Sequence, residues 1–363
     1  MRVFVTDCEG PLTRNDNAEE IAAAFIPNGA EFFARLSRYD DYLADIVRKP
    51  GYNAGDTLRL IAPFLRAFGL DDKAVEDFSA VNVLVVPGAD QLLTEVRALM
   101  PAFIISTSYT PYIRALCALT GFPFEDCRCT ELSLDAWAMP HGEALWLRDW
   151  AIAIAQRPLI DPAEPLSPDD RETVAELDHL FWTEMAKRPV AAAMIAAVRP
   201  IGGGMKLAAL EEVVRANGCA DDEVMYVGDS ITDVPPLAAV REWGGVALSF
   251  NGNEYALAAA EFAAASADAL PTLELARAFA AGGPAAARAL ARDWPAAPAA
   301  AGPASSASSA GPASAVASAG DAASGAPPAL PVVGLLAERR DELAAASRAA
   351  RASVRGEPIA RLG

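Results

Sequence analysis

Residues 224–233 read VMYVGDSITD: an apolar run, a glycine, then two aspartates four positions apart. A short run rich in Val, without polar alternation, is the pattern of a strand buried on both faces of a parallel sheet. Asp229 and Asp233 then fall one helical turn apart, just past the strand's carboxyl end. Three other stretches are built alike. Residues 3–10 are VFVTDCEG, residues 103–106 are FIIS and residues 203–206 are GGMK, which set an acid, a hydroxyl and a lysine just past apolar segments. In an open parallel sheet the carboxyl ends of neighbouring strands share one crevice, so side chains far apart in sequence can meet there. Together the four stretches predict an α/β fold with Asp7, Ser106, Lys206, Asp229 and Asp233 at one sheet edge.

Working outward, residues 2–6 read as a buried strand, and residues 15–80 carry only helical signals. Asn17 with Glu20 reads as a capping box, and Asn28-Gly29 as a turn. Helical periodicity returns over about 30–47 and, behind an Asp56 N-cap, over 57–68. An all-helical block placed after the first strand of an otherwise alternating chain predicts a cap. Residues 83–86 run into Pro87-Gly88, and an amphipathic helix with Leu92, Leu93, Val96 and Leu99 leads to the strand ending at Ser106. This restores β-α-β wiring. A second, mostly helical insertion follows over 136–199, its Trp137, Trp146, Trp150 and Trp182 read as packing anchors. Alternation resumes from Lys206, with helix 207–216, strand 224–227, helix 234–241 and strand 246–250. Asn251-Gly252-Asn253 then turns the chain over the same sheet end, either touching a substrate or simply making the loop.

From 295 to 329 every residue is Ala, Gly, Pro or Ser except Val316 and Asp321, too little apolar surface to offset chain entropy. Residues 335–354 read as an amphipathic helix with Arg339, Arg340, Arg348 and Arg351, either a solvated tail or a piece that docks on the acidic body or on a protein partner. The expected domains are a core of 1–14, 81–135 and 200–280, a cap of 15–80, a helical insertion of 136–199, a disordered linker of 281–334, and a C-terminal helix and tail of 335–363.

The chain has 363 residues and a formal charge of -18, which disfavours coating nucleic acid or an anionic membrane, since that needs a basic face. A small anionic substrate would then need a cation to neutralise it. No apolar leader follows Met1-Arg2 and no uninterrupted apolar stretch is long enough to span a bilayer, so a cytoplasmic protein without membrane insertion is expected. The five cysteines form no disulfide-framework spacing. Cys127 and Cys129 read as alternating residues of a short strand. With only His141 and His179 available, and neither in a motif-like setting, carboxylate chemistry is favoured over a histidine-based triad.

A carboxylate that attacks a phosphate ester faces a like charge, worth roughly 4 kcal/mol at about 4 Å and an effective dielectric near 20. Asp7, Asp229 and Asp233 would make an oxygen cage suited to Mg²⁺, which screens that repulsion. Lys206 adds a fixed positive charge, and Gly202, Gly203 and Gly204 before it permit a close backbone approach.

Acid, hydroxyl, lysine and acid pair in this order resemble the haloacid dehalogenase-like superfamily, phosphatase type, over roughly residues 1–265. The resemblance implies a Rossmann-like three-layer sandwich with a parallel sheet and a helical cap inserted after the first strand, to which the composition beyond the family core adds a disordered C-terminal tail. It implies a Mg²⁺-dependent phosphoric monoester hydrolase in which Asp7 is the nucleophile and forms an aspartyl-phosphate. Asp7, Glu9 through its carbonyl, and Asp229 would hold the metal with Asp233 in support. Asp7, Glu9, Ser106 and Lys206 would be catalytic, and Gly10, Ser106, Thr107, Lys206 and Asn251 would bind a small phosphorylated metabolite. Ser106 takes the hydroxyl position ahead of Thr107 because it directly follows Ile104-Ile105. A narrower resemblance, carried by 7–17 (DCEGPLTRNDN) and 38–58 (RYDDYLADIVRKPGYNAGDTL), is to the archaeal energy-converting hydrogenase A subunit R group, and its name implies an association with a hydrogenase.

One departure from the family pattern concerns the acid/base, an aspartate two residues after the nucleophile. This chain has Glu9, one methylene longer, or about 1.5 Å of bond. A misplacement of roughly 1 Å can cost on the order of a hundredfold in rate. Glu9 is therefore either an acid/base repositioned for another substrate geometry or a sign of weak or lost turnover. Arg38, Arg48, Lys49 and Tyr52 are cap candidates for gripping the substrate's distal part, or a solvated cluster. The competing functions are a non-catalytic regulatory or interaction module and a phosphotransferase or mutase.

Overall fold

The computed structural model describes residues 1–162, 165–294 and 331–356. Its centre is a seven-stranded sheet of β1 (Val3–Thr6), β2 (Ala102–Tyr109), β3 (Cys127–Thr130), β4 (Val224–Gly228), β5 (Val246–Phe250), β6 (Phe262–Ala265) and β7 (Val332–Leu335), in spatial order β3-β2-β1-β4-β5-β6-β7. The first six strands are parallel, and β7 closes the edge antiparallel to β6. The first six keep the order 3-2-1-4-5-6 of a doubly wound Rossmann-like sheet. Strand order reverses at β1, which is flanked by β2 and β4, and a crevice opens at that reversal beyond the carboxyl ends. β1, β4 and β5 are buried along their whole length, as unbroken apolar runs should be when both faces are covered.

Helices cover both faces. One layer is built on α5 (Ala89–Leu99), α6 (Thr110–Thr120) and α13 (Leu270–Arg292), which bury Leu92, Val96, Ile113, Leu116, Leu275 and Phe279 against Phe4, Ile104, Met225 and Leu248. The other comprises α10 (Gly204–Asn217), α11 (Val234–Glu242), α12 (Glu254–Ala259) and α14 (Leu336–Arg355), whose Leu210, Val213, Leu237, Val240, Leu257 and Leu343 pack on Val5, Tyr226 and Ala247. Sheet and two helical layers make the expected three-layer sandwich.

The cap follows β1. It contains α1 (Asn17–Phe25), α2 (Gly29–Asp41), α3 (Thr57–Ala67) and α4 (Asp72–Val81), to which the later insertion adds α7 (His141–Ala155), α8 (Pro168–His179) and α9 (Pro189–Ala197). Both insertions share one core, with Phe32, Leu36 and Phe64 from the first packed in the same cluster as Leu147, Leu177 and Phe181 from the second. Trp137, Trp146, Trp150 and Trp182 lie half-buried on that cluster.

Several local expectations change. The N-cap of α1 is Asp16, which accepts the Glu19 N–H at 3.0 Å, rather than Asn17. Glu20 accepts from the Asn15 amide at 2.6 Å instead of closing a capping box. The linker expected over 281–334 lies largely outside the described residues. At its near end the chain stays helical to Arg292, and at its far end Val332, Val333 and Gly334 belong to β7. Residues 336–355 are no solvated tail: α14 buries Leu343, Ala346 and Ala350 against its own sheet, the docking on the body that the sequence left open.

Candidate active site

Asp7 follows β1 directly and Asp229 follows β4 directly, and the two strands pair in register, Thr6 beside Val227. The Asp7 N–H donates to the Val227 carbonyl at 2.8 Å, extending the ladder by one bond and fixing both acids at one level of the sheet. Asp7, Asp229 and Asp233 each offer a carboxylate oxygen within 4.8 Å of the others. Lys206, in the first turn of α10, is fully buried and lies 2.7 Å from Asp7 Oδ2 and 2.7 Å from Asp233 Oδ1. Its Nζ also reaches Thr232 Oγ1 at 3.1 Å.

Asp233 is an organising anion. Oδ1 accepts from Lys206 and from the Tyr226 hydroxyl at 2.8 Å, and Oδ2 accepts the N–H groups of Asp229 at 3.0 Å and Ser230 at 3.2 Å. These bonds hold the turn that aims Asp229. Gly10 lies beneath, with φ of 104°, and a Cβ there would stand 2.3 Å from Asp229 Cγ, so glycine is required for the acid to occupy its place.

Burial pushes the Asp7 carboxyl up to about 7 against the pull of Lys206. Burial also works against the Lys206 ammonium, yet Asp233 and Asp7 hold its pKa above the ordinary lysine value. The ammonium thus stays charged beside an acid whose burial makes it hold its proton more tightly than usual.

Above the acids lies a cleft of about 100 Å³. Its floor has Asp7, Glu9, Asp16, Ser106, Thr107, Ser108, Asp229, Ser230 and Thr232; its roof has Phe33, Ser37, Asp40, Asp41, Thr57 and Leu58 from the cap. Ser106 and Ser108 both line the cleft, where the Ser106 hydroxyl donates to Ser108 Oγ at 3.0 Å and accepts the Ser108 N–H at 3.1 Å. Core and cap meet tightly beside it, since a Cβ on Gly202 would lie 2.2 Å from the Ala54 carbonyl oxygen.

The structure therefore brings Asp7, Ser106, Lys206, Asp229 and Asp233 together, with Gly10 under Asp229 and Thr107 at the cleft, where Thr107 Oγ1 donates to the Ile201 carbonyl at 3.1 Å. Glu9 also borders the cleft, but its Oε1 accepts the Asn17 N–H at 2.8 Å, tying it to the start of α1. Burial and the nearby Asp16 raise its pKa well above the usual carboxyl range. Asn251 does not line the cleft. Its amide is spent on Ser266, donating to the carbonyl at 2.7 Å and accepting the N–H at 2.9 Å, so it pins a loop in the strained φ of 48°. The basic grip expected from the cap is also absent from the lining. Lys49 sits over the Trp182 ring, Arg38 lies 3.5 Å from Asp41, Arg48 donates to the Asp45 carbonyl and Tyr52 is buried.

Sequence reasoning missed Arg355 altogether and named Arg351 only as part of a basic helix, not as a site residue. Arg351 and Arg355 of α14 border the cleft, and both donate to Asp229 Oδ2, Arg355 at 2.9 Å. Their spacing of four was a signal, because it puts two guanidinium groups on one helical face, but nothing in sequence said which surface that face meets.

The chain covers 100% of its own length and 99% of gene product AF1437 from Archaeoglobus fulgidus, at 30% identity and a TM-score of 0.80. It belongs to the family of that archaeal protein. A substrate-bound phosphoserine phosphatase is a more distant likeness, at 12% identity and a TM-score of 0.45 over 75% of this chain and 97% of that one. A HAD family hydrolase, t0658, from Salmonella enterica serovar Typhi follows at 10% identity and 0.41, over 71% of this chain and 65% of that one. Neither of these carries an activity across. No family model and no curated protein matches the chain.

Proposed function

We propose that the protein is a phosphoric monoester hydrolase of the haloacid dehalogenase-like type, acting on a small phosphorylated metabolite through an aspartyl-phosphate on Asp7. The observation that carries this reading is the Asp7–Lys206–Asp233 chain of 2.7 Å contacts, set beside Asp229 at the switch point of the sheet. Three mutually close carboxylate oxygens form a hard donor set with the chemistry of a Mg²⁺ site. Asp7 and Asp229 would hold the ion with Asp233 in support. When bound, it would neutralise charge on a phosphoryl group.

The chain's own residues supply the rest. Asp7 attacks phosphorus with one carboxylate oxygen, and the ester oxygen leaves with the bonding pair. Lys206 keeps a positive charge on the nucleophile's flank, and Ser106 and Ser108 offer hydroxyls to phosphoryl oxygens. Glu9, raised by burial, would carry the proton for the leaving oxygen and then take one from the water that opens the acyl phosphate, provided it leaves the Asn17 N–H. The cap roof, in Phe33, Leu58, Ser37 and Thr57, limits water around the intermediate.

Release of phosphate from p-nitrophenyl phosphate with Mg²⁺, lost by at least about a thousandfold in Asp7→Asn, is the expected result. Equal rates in the two proteins would remove Asp7 from the chemistry. A second reading, a non-catalytic module of a hydrogenase-type complex, is favoured by the engagement of Glu9 with a helix N-terminus. No turnover across a broad phosphoester panel would support it.

A further inference from the structure

Two cations reach the cleft from an element outside the four-stretch pattern. β7 pairs antiparallel with β6, and α14 then runs back across the sheet face until Arg351 and Arg355 lie over Asp229. Their side chains are 5% and 6% exposed, so each is about as buried as the acid it meets. Arg351 Nη1 donates to Asp229 Oδ2 and, at 3.2 Å, to the Asp229 carbonyl. Arg355 divides its guanidinium between Asp229 Oδ2 at 2.9 Å and the Asn15 carbonyl at 2.8 Å, linking the acid to the segment that leads into the cap.

A carboxylate oxygen has two lone pairs, and on Oδ2 both are engaged by arginine. Asp229 is also one of the three acids in the candidate cation cage. An incoming divalent ion would therefore meet two fixed positive charges on the same residue, in a site where seven carboxylates, Asp7, Glu9, Asp16, Asp40, Asp41, Asp229 and Asp233, face three cations, Lys206, Arg351 and Arg355. A bare cage would bind such an ion without opposition. This one already holds a counter-charge.

We propose that Arg351 and Arg355 are positioning residues that compete with a divalent cation for Asp229, so that the docking of α14 sets the metal affinity of the cleft. The inference rests on the metal-assisted reading above and adds a reciprocal consequence. If the arginines weaken metal binding, metal binding must weaken the hold of α14 on Asp229 by the same factor.

Isothermal titration of Mg²⁺, and separately of Mn²⁺, into the full chain compares wild type with Arg351→Met, Arg355→Met and the double variant. The expected result is a Kd tightened by about tenfold or more for each guanidinium removed. Arg355→Lys keeps the charge and should stay within about threefold of wild type. An unchanged or weaker Kd in folded methionine variants would overturn the proposal. Should those variants not fold, hydrogen exchange on wild type decides it: Mg²⁺ should speed exchange across 345–356, and unchanged or slower exchange there would overturn it equally. The hydrolase reading fails separately. A protein showing the affinity shift but releasing no phosphate from p-nitrophenyl phosphate loses that reading alone, whereas absence of Mg²⁺ and Mn²⁺ binding in every variant removes both.

Discussion

Lys206 illustrates how one side chain can be both a structural and a chemical necessity. It is wholly enclosed and neutralises two carboxylates, so Lys206→Met would leave Asp7 and Asp233 facing each other without a cation. A broken buried pair typically costs 3–5 kcal/mol; we expect a loss of about that size in urea unfolding, together with loss of turnover. A loss under about 1 kcal/mol would mean that the acids relax or stay protonated without it. Asp41, in the cap roof, is a different case. Burial pushes its carboxyl up to about 7 from an ordinary 3.8, with Arg38 pulling the other way. The folded state therefore binds its proton more tightly than the unfolded chain, so this contribution is complete below about pH 4 and disappears as pH rises toward 7. It amounts to roughly 4 kcal/mol at most. Asp41→Asn should flatten the stability profile between pH 4 and 7, measured as melting temperature against pH, and parallel profiles for variant and wild type would contradict this. Asp7, Ser106 and Asp229 were legible beforehand because each follows a strand-like apolar run, where a parallel sheet gathers its side chains; Asp233 was legible from its spacing to Asp229, and Lys206, in the first turn of α10, from the glycines before it. Asn251 met the same criterion and was misplaced, since its amide had a nearer partner in Ser266.

Among the elements, the glycine-bounded strands were the most readable and α14 the least. Its apolar residues are mostly alanines, with Leu336 and Leu343 the large buried anchors, so its amphipathic signal was weak and its five arginines suggested solvent. Docking depends on β7, a strand of four residues that the reading did not anticipate because its partner β6 is FAAA, whose alanines carry little strand preference. Leu343→Ala should cost about 2–5 kcal/mol if α14 belongs to the cooperative fold. It should also raise hydrogen exchange across 336–355 more than across β1 and β4. Uniform exchange throughout the chain would show that α14 has no separate mobility, and a stability change under about 0.5 kcal/mol would show that it is only loosely attached.

Over the whole molecule, the two cap insertions behave as one body with a common core although β2 and β3 separate them in sequence. Phe181 stacks on Tyr39 at 6.1 Å and meets Phe64 edge-on at 6.4 Å, joining the second insertion to the first. Phe181→Ala should therefore cost about 3–5 kcal/mol and loosen both 15–80 and 136–199 in hydrogen exchange while sparing the sheet. Loosening confined to 136–199 would make the insertions independent units. The amino-acid sequence by itself determined the α/β class, the order of the sheet-end residues and the position of the first cap block, because strand burial and helix periodicity are local patterns that neighbouring residues write directly. Only the tertiary structure decided that the second insertion joins the cap, that Glu9 turns toward α1, and that two arginines from the last helix rest on Asp229. Those outcomes depend on which surfaces and donors meet, and neither a contact between remote segments nor Glu9's choice of the nearby Asn17 N–H leaves a periodic trace in the chain that makes it.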